Sequence, residues 1–242
     1  VLGLEFLEQL VRPGEAFLRH QQLAGALGFV GLPLEARIDL FDVALAAQAR
    51  KPEDVFMTAA SPGIVCTTLR NAWYDSHEAY VRAVARELRK EYELIVSRGY
   101  VLQLDCPDLA MERHYTWHGR PLHEFQTFVE EVIRAINAAL VNIPRDRVRL
   151  HVCWGNSESP HDRDVPLEDI LPILQKANVG GFVFPFANSR HAHEFKLFRA
   201  MPLDDDRRKR NFATTPEPAG AEGLGSGASR SFCVQKHLAS NL

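Results

Sequence analysis

Short apolar segments alternate with longer amphipathic ones along this chain, and this alternation restricts the fold more than any other feature. Segments typical of buried strands occupy residues 54–59, 100–105, 148–153 and 182–186. Between them, apolar residues spaced three and four apart predict helices over 76–98, 121–140 and 167–174, and a further helix from 190. Strands that recur roughly every 35–50 residues with a helix between them are typical of a parallel sheet.

Polar residues stand at the carboxyl ends of several predicted strands. Asp105 ends the second strand, His151 and Cys153 end the third, and Asn188 follows the fourth. In (β/α) barrels these strand ends form the rim that carries the functional residues. We therefore predict an α/β fold of the TIM (β/α)8 type for residues 1–203. Four strands are clear and the N-terminal third could add one or two, whereas a closed barrel needs eight, so we expect a barrel that is incomplete at its C-terminus.

The last forty residues or so have a different composition. Residues 204–210 are a run of charges, and residues 214–227 are rich in proline, glycine, alanine and glutamate. Apolar periodicity is missing from this stretch, so we predict a disordered, atypical tail over 204–242.

Composition narrows the class of protein. Of the 242 residues 46% are hydrophobic, and the formal net charge of −3 gives no electrostatic reason to expect nucleic acid or an anionic membrane as a partner. The longest apolar run falls short of the roughly 20 residues that span a bilayer. Four scattered cysteines lack the spacing of a disulfide framework, which favours a cytoplasmic protein with reduced thiols. The sequence leaves the oligomeric state open.

The third predicted strand carries two candidate metal ligands. Because side chains alternate along a strand, His151 and Cys153 point to the same side. An imidazole and a thiolate are both good ligands for zinc. A lone His-x-Cys is a weak signal, since cysteine is more often a small buried hydrophobe.

Four segments at the predicted strand ends strengthen that signal. They read TAASPG at 58–63, LQLDCPDLA at 102–110, RLHVCWGN at 149–156 and ANSRHAHE at 187–194. Together, over about residues 52–200, they resemble the catalytic domain of cobalamin-independent methionine synthase, and more narrowly the shorter homologues that include epoxyalkane:coenzyme M transferases. The resemblance implies a TIM barrel of the kind that uroporphyrinogen decarboxylase shares, apparently truncated at its C-terminus.

The resemblance also implies a zinc site and a reaction. His151 and Cys153 match the family's first two zinc ligands, and Asp105 matches the carboxylate that holds the substrate amine. We add Ser61 and Asn188 as residues that line the substrate site. In the family, zinc holds a substrate thiol as its thiolate, and the sulfur then attacks an activated carbon.

Two of the family's zinc ligands are missing at their expected places. The glutamate on the next strand falls at Pro185, and no second cysteine stands in the family's sequence context, since Cys233 lies in a different one. His191 and Glu194 are nearby candidates for replacement. The sequence therefore leaves open whether the chain is active.

Several functions remain in competition at this point. The first is zinc-dependent transfer of a methyl group from a methylated folate to homocysteine, as in methionine biosynthesis, or of another alkyl group to a similar small thiol. An epoxide:coenzyme M-type transferase and a catalytically inactive relic of the barrel are the alternatives. A decarboxylase-like barrel ranks last, because few arginines stand at the predicted rim.

Overall fold

Five parallel strands form one sheet, and their order in the sheet is their order in the chain. The computed structural model describes residues 33–48, 55–157 and 160–198, and the backbone of 231–233. The strands are β1 (Phe56–Ala60), β2 (Val101–Asp105), β3 (Val148–His151), β4 (Gly181–Val183) and β5 (Ser231–Cys233). The α/β fold class and the parallel sheet that the sequence predicts are confirmed.

Helices connect the strands in the expected alternation. Within the described ranges they are α1 (Leu34–Ala46), α2 (Pro62–Thr68), α3 (His77–Ser97), α4 (Leu122–Ala139) and α5 (Leu167–Leu174). Single 3-10 turns add Pro107–Leu109, Met111–Arg113 and Arg145–Arg147, and a longer 3-10 segment covers Ala192–Phe198. The predicted helix from 190 is therefore a 3-10 segment that starts two residues later.

The two long helices follow from their sequence signals. The Ser76 hydroxyl accepts a hydrogen bond from the Ala79 amide and so caps α3, and Gly99 adopts a φ of +88° just beyond its end. Buried residues recur three and four apart along both helices, so each presents one apolar side to the sheet. Both predicted helices are thus confirmed, with α4 beginning at Leu122 rather than at Pro121.

The sheet has one covered face and one open face. Leu102 and Leu104 on β2 and Leu150 on β3 are fully buried beneath the helices. The alternate residues of the same strands are only partly buried, and on β1 Phe56 is 44% exposed. We call this second side the open face; in a closed barrel it would face the interior.

Register brings the strand ends together in one row. Ala60 pairs with Asp105, Asp105 with His151, His151 with Val183, and Val183 with Cys233. Because register partners in a parallel sheet point to the same face, the side chains of Ala60, Asp105, His151 and Val183 lie at the carboxyl edge of the open face. Asp105 and His151, which the sequence places at the ends of two predicted strands, are thus direct register partners.

The C-terminal part of the sheet differs from the sequence prediction. The fourth strand ends at Val183 instead of 186, because Pro185 has no amide hydrogen to donate to a neighbouring strand. Within the predicted tail, Ser231–Cys233 forms β5 where we expected no strand. The rest of 204–242 and the N-terminal 1–32 lie outside the described residues.

Within the described part of the chain, β1 and β5 each have a single strand neighbour. No helix found there has both the length and the apolar character needed to cross a membrane.

Candidate metal and thiol site

His151 and Asp105 form a close pair at the carboxyl edge of the open face. The Nδ1 of His151 lies 2.5 Å from Oδ1 of Asp105, and the carboxylate accepts. Both side chains remain partly accessible, with 25% and 45% exposed. A metal-binding histidine in proteins usually donates its second ring N–H to a carboxylate, which fixes the tautomer. In this pair Nε2 of His151 has no hydrogen-bond partner among the described residues, so it is the nitrogen available to a metal.

Cys153 follows on the same side of the chain. The ladder continues past β3, because the Val152 amide donates to the Val183 carbonyl at 3.0 Å, and Cys153 is therefore still in strand-like register. The cysteine is a free thiol of intermediate burial. The prediction that His151 and Cys153 share one side agrees with this alternation of burial along 148–153.

The chemistry of Cys153 depends on its surroundings. Burial raises the pKa of its thiol, a hydrogen bond from the backbone of Gly155 partly offsets this, and the carboxylates of Asp105 and Asp108 raise it further. Cys153 is therefore a neutral thiol near pH 7 unless a cation stabilises the thiolate. Gly155 itself has a φ of +81°, and a Cβ there would lie 2.9 Å from the Met111 sulfur, so this turn requires glycine.

A third protein ligand is missing from the described part of the chain. No three His, Cys, Asp or Glu side chains within it are arranged so that they could hold one metal ion. Pro185, at the family's glutamate position, cannot bind a metal. His151 and Cys153 thus have the donor chemistry for zinc, with a carboxylate behind the histidine, and they supply two of the four positions of a usual zinc site.

The two candidate replacements are committed to other bonds. His191 is bonded to Asp164 through Nε2 at 3.0 Å and to Glu194 through Nδ1 at 3.2 Å. The other carboxylate oxygen of Glu194 accepts the Leu167 amide at 2.8 Å. Either side chain would have to give up or share these bonds to bind zinc in place of the missing ligand.

Ser61 lies in the core, away from the open face. Its side chain is fully buried, donates to Oδ1 of Asp108 at 2.6 Å and caps α2 by accepting from the Ile64 amide. Its own amide donates to the Asp105 carbonyl. Direct contact between this hydroxyl and a substrate, as we predicted, would require Ser61 to leave those bonds.

Asn188 and Asp105 keep accessible positions. Asn188 is exposed in the turn after β4, where its side-chain oxygen accepts the Arg190 amide at 3.1 Å. Oδ2 of Asp105 has no hydrogen-bond partner among the described residues, so it is free to meet a substrate amine. Their predicted substrate contacts remain predictions.

A cluster that sequence reasoning missed lies beside the site. The carboxylate of Asp164 is bonded both to His191 and to Nδ1 of His161, and all three side chains are at least nine-tenths buried. The signal in the sequence was the recurrence of a histidine three residues before an acid, His161 with Asp164 and His191 with Glu194. That spacing brings the pair together in a turn, but only the fold joins the two pairs.

The comparisons with known proteins add no family. No family model and no curated protein matches the chain. The functional assignment therefore depends on the residues described above and on the resemblance of the four motifs.

Proposed function

We propose that this chain is a zinc-dependent transferase of the methionine synthase type, built on a TIM-type barrel, that moves a methyl or other alkyl group onto a small thiol. The observation that carries the proposal is the His151–Asp105 pair beside Cys153 at the carboxyl edge of a parallel sheet. This is the edge at which (β/α) enzymes carry their chemistry. The cysteine must stay reduced to bind zinc as a thiolate, and a reducing compartment favours this, so the proposal includes a cytoplasmic location.

Each residue has a defined role in this proposal. Nε2 of His151 and the sulfur of Cys153 hold the ion, while Asp105 accepts a hydrogen bond from Nδ1–H and orients the ring. Zinc bound there would keep a small thiol such as homocysteine or coenzyme M ionised near neutral pH. The open face leaves the remaining positions accessible to that thiol. The second oxygen of Asp105 then holds the substrate amine, if the substrate has one.

Zinc content tests the metal part of the proposal. Protein loaded with one equivalent of zinc and then desalted is expected to retain most of it, and Cys153→Ala and His151→Ala are expected to lower retention at least about tenfold, because each removes one of two protein ligands. His123→Ala, an exposed histidine on α4, is the matched control and should retain zinc like the parent. Equal zinc retention in the parent and all three variants would contradict the proposed metal site.

Turnover tests the reaction and separates it from the second candidate, an inactive relic. The absence of a third ligand among the described residues favours the relic. Zinc-loaded protein is incubated with homocysteine and methylated folate, and separately with coenzyme M and a small epoxide. Alkylated thiol that disappears in Cys153→Ala supports the enzyme. Retained zinc with no alkylation of either thiol supports the relic.

A further inference from the structure

A buried imidazole lies between two carboxylates and is stacked against Trp154. His191 is bonded to Asp164 on one side and Glu194 on the other, with all three side chains less than 10% exposed. Carboxylates only accept hydrogen bonds, so a ring that meets one at each nitrogen donates from both and is an imidazolium. The three residues thus form a charged buried cluster, which we call the His191 cluster.

The imidazole of His191 lies flat against an indole. The ring centroids of Trp154 and His191 are 3.7 Å apart, and the planes differ by 8°. On its edge, Nε1 of Trp154 donates to the Val165 carbonyl at 2.8 Å. The indole is therefore fixed on one face by the cluster and at one edge by the backbone just before α5.

Trp154 directly follows Cys153 and directly precedes the left-handed Gly155. Because the two residues are adjacent, a shift of the backbone that carries the indole also shifts the backbone that carries the thiol. We propose that His191 is a positioning residue, whose imidazolium stacks on Trp154 and thereby holds the turn that presents Cys153. The proposal deepens the proposed function, on which it rests for the role of Cys153.

The hydrogen bonds of the His191 cluster require His191 to be protonated. Burial lowers the pKa of His191, but hydrogen bonds and charge from Asp164 and Glu194 outweigh it and raise the pKa to about 9. Two more histidines face the cluster through Asp164. His161 bonds to it from the same loop, and Nδ1 of His114, from the segment after β2, lies 3.9 Å from it.

Loss of the proton above about pH 9 leaves two buried carboxylates without the charge between them. The folded-state pKa lies above the ordinary value of about 6.5, so the stabilisation is complete below pH 6.5 and is lost as the pH rises through about 9. We expect the turn at Trp154 to loosen over that range and to stay fixed at pH 7.

Tryptophan fluorescence emission reports the contact between His191 and Trp154 directly, and it is measured in protein without added metal. A stacked imidazolium quenches an indole more strongly than a neutral imidazole does. With excitation at 295 nm, emission is expected to rise by roughly 1.5-fold or more between pH 8 and pH 10, with a midpoint near the pKa of about 9. Trp154→Phe should abolish the transition, leaving only Trp73 and Trp117 to emit.

Variants assign the transition to His191. His191→Gln should remove it, and Asp164→Asn should lower its midpoint by about one pH unit. His193→Gln, an exposed residue two positions further on in the chain, should leave it unchanged. A parent titration without a transition between pH 8 and 10, or one that survives in Trp154→Phe, overturns the proposal. These two proteins decide the matter even if His191→Gln does not fold.

The rate at which a thiol reagent modifies Cys153 reports whether its position has changed. In a Cys233→Ser background the accessible described thiol is Cys153, because Cys66 and Cys106 are buried. At pH 7.5, His191→Gln is expected to raise the rate of Cys153 modification by a thiol reagent roughly threefold or more, and His193→Gln should not. Equal rates would overturn the positioning role. Since neither readout involves zinc or alkyl transfer, failure of the proposed function leaves this test intact.

Discussion

Asp108 is a carboxyl group sealed into the core beside the strand ends. It is fully buried, accepts one hydrogen bond from Ser61 and has no partner at Oδ2 among the described residues. A Cβ on Gly63 would lie only 2.0 Å from that oxygen, so the carboxyl occupies the space that a side chain would need. Burial raises the pKa of Asp108 to about 7, with the Ser61 bond opposing and Glu112 adding to the rise. The group is therefore a neutral acid over most of the acidic range.

Asp108→Asn is expected to remove a pH dependence of stability. The folded-state pKa of about 7 exceeds the ordinary 3.8, so the stabilisation of the parent is complete below about pH 4 and lost as the pH rises to about 7. Between pH 5 and pH 8 the parent should lose about 2 kcal/mol of unfolding free energy relative to the variant. Urea denaturation at both pH values measures this. Asp162→Asn, exposed in the loop before α5, is the control, and a constant difference between Asp108→Asn and the parent would contradict the raised pKa.

Helix α1 is attached to the rest of the molecule differently from α3 and α4. Its one fully buried residue among those described is Ile38, while Leu40 and Val43 are 50% and 69% exposed. Leu34 and Leu45 are only partly buried against the core, and Phe41 meets the Tyr100 ring edge-on. The other contacts are polar: Arg98 meets Asp39 at 2.7 Å and Asp42 at 3.2 Å, and the Tyr100 hydroxyl bonds to Asp42. Exposed ion pairs of this kind contribute about 0–1 kcal/mol each.

Hydrogen exchange is expected to separate α1 from the two long helices. Because so little apolar surface holds it, α1 should open before α3 and α4, and its amides should exchange at least about tenfold faster. Arg98→Gln should speed exchange in α1 and leave α4 unchanged. Mass spectrometry of the exchanged peptides provides the comparison, and equal protection of α1 and α4 would refute the prediction.

The sequence predicted the elements better than their contacts. Hydrophobic periodicity and caps are local, so α3, α4 and the first three strands follow from residues that are neighbours in the chain. The bond between His151 and Asp105 needs the register of two strands 46 residues apart, and the His191 cluster needs two turns 27 residues apart. The end of β4 at Val183 was foreseeable from Pro185, because proline has no amide hydrogen to donate to a neighbouring strand.

The open face of the sheet carries an aromatic ring beside polar and charged side chains. It carries Phe56, with the Arg149 guanidinium 3.8 Å from its ring centroid, and Arg149 also donates to the Gln103 side chain at 2.7 Å. Polar and charged groups suit a face that water reaches. Sequence periodicity cannot tell such a face from the inside of a barrel, because closure depends on strands far apart in the chain.

Paired truncations test whether the open face is open in solution. Leu104→Ala, on the covered face, is expected to cost about 2–5 kcal/mol of unfolding free energy. Phe56→Ala should cost less than about 1.5 kcal/mol, since it loses mainly the contact with Arg149. Denaturant unfolding of both variants gives the values. A loss at Phe56 as large as that at Leu104 would indicate that further chain or a second copy covers this side.

The strand order has a consequence for biosynthesis. Because each strand joins the sheet beside the one that precedes it in the chain, every βα unit can dock as soon as it leaves the ribosome, with no need to wait for a distant partner. Assembly from the first unit onward adds each new strand at the same edge of the sheet, and no strand has to insert between two that are already paired.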